Sequence, residues 1–161
     1  MERLWAPWRM EYVGVEQPPG CFFCRVIENS DDPDADLVVW RPAGAIVLLN
    51  KFPYNPGHAM VAPVAHRATL ENLDDAETAD FMRAVKRTFT VLREVMKPDG
   101  LNGGINIGRA AGAGVPDHVH FHIVPRWNGD TSFMVVIDDV KVVNEALGQT
   151  AAKLRKAFAA T

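Results

Sequence analysis

The segment His118-Val-His120-Phe-His122-Ile-Val124 alternates imidazole and apolar side chains. A β-strand points successive side chains to opposite faces, so this spacing predicts a strand over 118–124. His118, His120 and His122 then share one face, and Val119, Phe121 and Ile123 turn toward a core. The apolar face needs a cover, and each imidazole on the other face needs a partner. Three titratable groups in a row rarely arise for packing alone. The only other histidines in the chain are His58 and His66.

The remainder of the chain supplies the cover. Leu37–Trp40, Ala45–Asn50 and His58–Ala62 are β-rich runs separated by Pro42-Ala-Gly44 and Pro53-Tyr-Asn-Pro-Gly57, both of which read as turns or short loops. Gly103–Gly108 reads as a further strand, followed by a small-residue loop over 109–115. Asp74 or Asp75 is placed to cap a long helix, on which Met82, Val85, Phe89, Leu92 and Met96 form one stripe before Pro98-Asp-Gly100 ends it. Phe133–Ile137 is ambiguous. Val143, Leu147, Thr150, Leu154 and Phe158 mark a C-terminal amphipathic helix. Strands joined by short turns, with the helices set apart, predict an α+β fold: an antiparallel sheet of about five strands, one long helix and a C-terminal helix. At 161 residues and 48% hydrophobic, the chain is expected to form one domain over 1–161. An N-terminal arm (1–30) carries Cys21-x-x-Cys24 and docks through Trp5, Trp8 and Tyr12, and a helical extension covers 140–161.

The charge balance of 17 Lys+Arg against 20 Asp+Glu argues against nucleic acid as a partner. No apolar run is long enough for a membrane helix, and the first residues lack the apolar stretch of a signal peptide. Two cysteines cannot make a disulfide scaffold. The expectation is a cytoplasmic protein without a membrane partner.

Two chemistries compete for the histidine row. Imidazoles at i and i+2 can chelate a catalytic zinc. Alternatively, one histidine is a nucleophile at phosphorus, flanked by phosphate-binding histidines. The upstream loop favours the second reading. Ala111-Gly-Ala-Gly-Val115 is almost free of side chains, so backbone N–H groups can approach an anion. A hydrolytic metal would also call for a nearby carboxylate, and Asp117 would point to the opposite face.

The motif over His118–Val124 resembles the signature of the histidine triad (HIT) superfamily of nucleotide hydrolases and transferases. Asn50 with Pro56-Gly-His58-Ala-Met-Val-Ala-Pro63 resembles its nucleoside-binding hairpin, so the likeness spans roughly residues 37–127. The Trp5-Ala-Pro-Trp8-Arg9 opening, the Ala-Gly-Ala-Gly-Val-Pro-Asp-His loop and Pro125-Arg-Trp127 are similar to the Fhit-like bacterial branch, which includes diadenosine tetraphosphate phosphorylases. The resemblance implies a HIT-like fold and an enzyme that cleaves dinucleoside polyphosphates through a nucleotidyl-histidine intermediate. In the phosphorylase version inorganic phosphate is the acceptor; a hydrolase or adenosine phosphoramidate hydrolase releases AMP, and a non-catalytic nucleotide binder is a further alternative. It implies His120 as nucleophile, with His122 and His58 at the α-phosphate or bridging oxygen. Asn106, Gly112, Gly114 and Val115 would hold phosphate oxygens, Asn50 the ribose, and Trp127 the distal base. Ile46 and Leu48 would sandwich the proximal base, and Arg109, Arg126 and Lys51 are candidate cations for the acceptor. A homodimer or higher homo-oligomer, and magnesium carried by the substrate, fit the same family.

Cys21-x-x-Cys24 by itself is open to three readings, a redox pair, a zinc half-site or two buried thiols; a redox pair normally opens a helix after a strand, whereas this one follows Pro18-Pro-Gly20. Some members of the resembled family hold a structural zinc through such a pair, a histidine after the hairpin and the first triad histidine. Carried over, the ligands are Cys21, Cys24, His66 and His118, which leaves three histidines for phosphate.

Overall fold

The apolar runs Ala45–Leu49 and Ala59–Pro63 are buried along their whole length. Strands covered on both faces read as continuous rather than alternating apolar sequence, and the computed structural model, which describes residues 20–130 and 145–160, shows both covers. The strands are β1 (Val38–Trp40), β2 (Ala45–Leu49), β3 (Ala59–Pro63), β4 (Gly100–Ile105) and β5 (Phe121–Arg126). They form one sheet in the order β1-β2-β3-β5-β4, and every neighbouring pair is antiparallel. The helices are α1 (Phe22–Glu28), α2 (Asp75–Met96) and α3 (Leu147–Ala159).

On one face Ala45, Val47, Leu49, Ala59, Val61 and Ile123 pack with Phe81, Val85 and Leu92 of α2 and Leu154 of α3. On the other, Ile46, Leu48, Met60 and Ala62 lie under Phe23 and Val26 of α1. Ile46 and Leu48 therefore fill the core beneath α1, which argues against the expected base sandwich. The cover itself is a seven-residue helix opened by Cys21, a helix that neither the turn signals nor the CxxC spacing foretold.

Two helix readings hold in their main lines and shift in detail. Asp74 is the N-cap of α2, in a capping box with Glu77. The buried stripe of α2 runs through Phe81, Ala84, Val85, Thr88, Val91 and Leu92, while Met82 is exposed. Thr88 enters the core because its hydroxyl donates to the Ala84 carbonyl (2.8 Å). On α3 the stripe is Thr150, Ala151, Leu154 and Phe158. Phe158 stacks on Trp40 at 4.8 Å, and Arg155 Nε donates to the Val38 carbonyl, so this helix lies on β1 of its own chain. Trp5, Trp8, Tyr12, Val143 and the run Phe133–Ile137 fall outside the described residues.

Two strands are displaced from their sequence expectation. β4 spans Gly100–Ile105 rather than Gly103–Gly108, and β5 starts at Phe121 rather than His118. Phe121 is the last residue paired on both sides, with Val61 and with Ile105. Upstream, the Val119 amide donates to the Arg67 carbonyl (2.6 Å), and the His118 carbonyl accepts from the His120 ring. Those partners draw His118 and His120 out of the ladder.

Candidate active site and metal centre

α1 begins at a cysteine pair and ends its first turn against the histidine segment. Cys21 Sγ lies 3.2 Å from His118 Nδ1, and Cys24 Sγ lies 3.2 Å from His66 Nδ1 and 3.7 Å from His118 Nδ1. One donor atom from each of these four residues lies within 4.8 Å of every other. Tetrahedral zinc with sulfur at about 2.3 Å and nitrogen at about 2.0–2.1 Å needs donors roughly 3.3–3.8 Å apart, and the cluster lies close to that range. His118 is fully buried, and its Nε2 donates to the Pro63 carbonyl (2.9 Å), which turns the Nδ1 lone pair toward the thiols. Burial pushes the Cys24 thiol up to about 11, with Cys21 adding to the shift. Burial holds His118 down at about 4. A neutral imidazole beside two thiols that gain from a cation is a donor set suited to a soft divalent metal.

The second constellation is built from β5 and the loop between β2 and β3. His120 is 3% exposed; its Nδ1 donates to the His118 carbonyl at 2.8 Å. That bond fixes one tautomer and leaves the Nε2 lone pair for chemistry. Burial lowers the His120 pKa, and the carbonyl bond opposes the shift, so the ring is unprotonated at neutral pH. The His122 ring is 4.7 Å from that of His120, edge to face. His122 Nδ1 lies 3.0 Å from Nε2 of the fully buried His58. Tyr54 stacks on His58 at 4.8 Å, and its amide donates to His58 Nδ1. Phe23 of α1 touches both systems, with ring centroids 5.1 Å from His118 and 4.9 Å from His120. All five histidines thus fall into the two groups expected.

Other candidates are placed less directly. Asn50 follows β2, and its side-chain oxygen accepts from the Phe52 amide. Asn106 follows β4 and is half-buried. Gly112 takes a left-handed conformation (φ 87°) at the end of a turn over 109–111, where its amide donates to the Arg109 carbonyl. Gly114 is exposed, and Val115 packs partly against the α1 cluster. Half-buried Trp127 donates its amide to Asp130. Two of the proposed acceptor cations are engaged: Lys51 pairs with Asp34, and Arg126 pairs with Asp130 through Nε and Nη2. Arg109 is exposed. Sequence reasoning missed Phe23, Tyr54 and the buried Asn55, whose amide nitrogen donates to Pro125 O and Asp130 (both 2.8 Å). No spacing signal marks them.

An imidazole bonded through Nδ1 to a main-chain carbonyl lies beside a hydrogen-bonded imidazole pair on a five-stranded antiparallel sheet. Residues 34–129 match the family described as the HIT domain. The chain belongs to that family. It is 37% identical over 159 residues to an AP-4-A phosphorylase of Mycobacterium tuberculosis, covering 93% of this chain and 80% of that one. It is 31% identical over 134 residues to an adenosine 5'-monophosphoramidase of Schizosaccharomyces pombe, covering 79% and 95%. Both named relatives are enzymes. The crystal structure of a Zn-bound histidine triad family protein from Mycobacterium smegmatis superposes with a TM-score of 0.69 at 31% identity, covering 88% of this chain and 94% of that one. Among the described residues, no helix is long and apolar enough to cross a membrane.

Proposed function

We propose that this protein is a cytoplasmic diadenosine tetraphosphate phosphorylase that works through a nucleotidyl-His120 intermediate. His120 Nε2 attacks the α-phosphorus, the bond from phosphorus to the bridging oxygen breaks, and ATP leaves. An oxygen of inorganic phosphate then attacks the same phosphorus, the P–N bond breaks, and ADP leaves with His120 restored. The observation that carries this reading is the His120 Nδ1 bond to the His118 carbonyl, which presents Nε2 as a nucleophile. His122 and His58 lie beside it to meet the developing charge. Asn50 takes the ribose, Asn106, Gly112, Gly114 and Val115 shape the phosphate site, and Trp127 covers the distal base. Cys21, Cys24, His66 and His118 hold zinc, which supplies a structural cross-link. Magnesium enters only with the substrate, and the working form is a homodimer or higher homo-oligomer.

A second reading, hydrolysis with release of AMP, is favoured by the acceptor side: Lys51 and Arg126 already pair with carboxylates. Product analysis with and without inorganic phosphate separates the two. ADP formed from diadenosine tetraphosphate only when phosphate is present supports the phosphorylase. AMP in both cases leaves the hydrolase.

A further inference from the structure

The direction of hydrogen bonding among the imidazoles is set by two backbone groups of opposite polarity. A carbonyl can only accept, so the His118 carbonyl holds a proton on His120 Nδ1. A backbone amide can only donate, and the Tyr54 N–H points at His58 Nδ1 across 3.2 Å. We propose that Tyr54 is a positioning residue: its amide fixes the proton of His58 on Nε2 and so makes His122 a hydrogen-bond donor toward the substrate. With Nδ1 accepting, a neutral His58 carries its proton on Nε2. That proton lies on the 3.0 Å line to His122 Nδ1, which therefore accepts, and the His122 proton is left on Nε2. Two neighbouring rings then differ in sense: His120 offers a lone pair and His122 offers an N–H.

The loop between β2 and β3 is shaped to hold this amide in place. Asn50 N donates to His58 O, His58 N donates to Asn55 O, and Phe52 N donates to Asn50 Oδ1. Gly57 adopts φ +77°, and a Cβ there would lie 3.2 Å from both Met96 Cε and Pro125 Cγ. Asn55 ties the loop to Pro125 and Asp130. The Tyr54 ring, inclined by 16° to that of His58, keeps the imidazole plane in line with both bonds.

The consequence for turnover rests on the proposed nucleotidyl transfer: when the P–O bond breaks, its electron pair goes to the leaving oxygen, toward which a His122 Nε2–H would donate.

The test is a long-range proton–nitrogen correlation spectrum of the full chain, labelled with 15N-histidine, without ligand and near pH 8. His58→Gln and His122→Gln variants assign the resonances. The Nε2–H form is expected to outnumber the Nδ1–H form by at least tenfold at both His58 and His122. A predominant Nδ1–H form at His58, or an even mixture, overturns the proposal. Tyr54→Pro deletes the N–H and is expected to shift the His58 tautomer ratio at least tenfold and to lower kcat at least tenfold, with KM within about twofold. A folded Tyr54→Pro with the wild-type ratio overturns the assignment to this amide. If that variant does not fold, the wild-type spectrum alone decides. The spectrum reads the ligand-free protein, so failure of the phosphorylase reading would leave its result standing.

Discussion

At the scale of single residues, the account rests on His120. Removing a nucleophile that forms a covalent intermediate costs several orders of magnitude in turnover. His120→Ala is expected to lower kcat by roughly 10⁴-fold or more, measured as product formed from diadenosine tetraphosphate. Asp130 gives a prediction about pH. The Arg126 guanidinium, with Asn55 and the Trp127 amide, holds its carboxyl far below the usual carboxylate range. A depressed folded-state pKa contributes stability that is present in full above the ordinary carboxylate pKa near 4 and is lost as pH falls below it. Urea midpoints should therefore drop between about pH 4 and pH 2 in the wild type, and less steeply in Asp130→Asn. An unchanged slope would remove Asp130 from that role. The row His118, His120 and His122 could be read from its period-two spacing, and the nucleophile role proposed for His120 came from the family resemblance. The partners that set their tautomers could not, because His118 O and Tyr54 N are main-chain atoms that every residue carries.

At the scale of elements, side-chain spacing predicted the long helix, and capping chemistry chose its start. Asp74→Ala removes one half of the capping box and is expected to cost about 1 kcal/mol in urea denaturation. Phe81→Ala, at the fully buried first position of the α2 stripe, is expected to cost about 3–5 kcal/mol in the same measurement. Met82→Ala, on the exposed side, should cost well under 1 kcal/mol. Equal costs at positions 81 and 82 would contradict the observed stripe. The apolar positions of α2 were visible to periodicity, but its rotation was not. Thr88 counts as polar in a pattern, and it enters the core only through its bond to Ala84. The same limit explains the late start of β5, where hydrogen bonds to Arg67 and to a side chain replace ladder pairing. α1 was hidden because its seven residues carry no side-chain cap and its length allows only a single apolar turn.

At the scale of the whole molecule, the Cys21/Cys24/His66/His118 cluster and His120 meet through α1. His118 offers Nδ1 to the thiols and its carbonyl to His120, while Phe23, between the two cysteines in sequence, packs on both rings. A zinc ion bound here would add to folding free energy and hold that helix on the sheet. The purified chain should contain one zinc, and its removal by chelation should lower the melting temperature by about 10 °C or more. Less than half an equivalent of metal, with no change on chelation, would contradict a structural zinc. The sheet, the long helix and the row His118, His120 and His122 were legible in the sequence because each leaves a fixed spacing, whereas the places of His58 and His66 came from the family resemblance. The junction between the two groups was not, since it arises from residues 23, 118 and 120 meeting in space. The central claim is the covalent step at His120, and rapid-quench mixing with diadenosine tetraphosphate followed by intact-mass and peptide analysis tests it most directly. The account predicts one AMP group per chain on His120, consumed on addition of inorganic phosphate as fast as the enzyme turns over. Turnover with no such adduct, or an adduct on another residue, would contradict it.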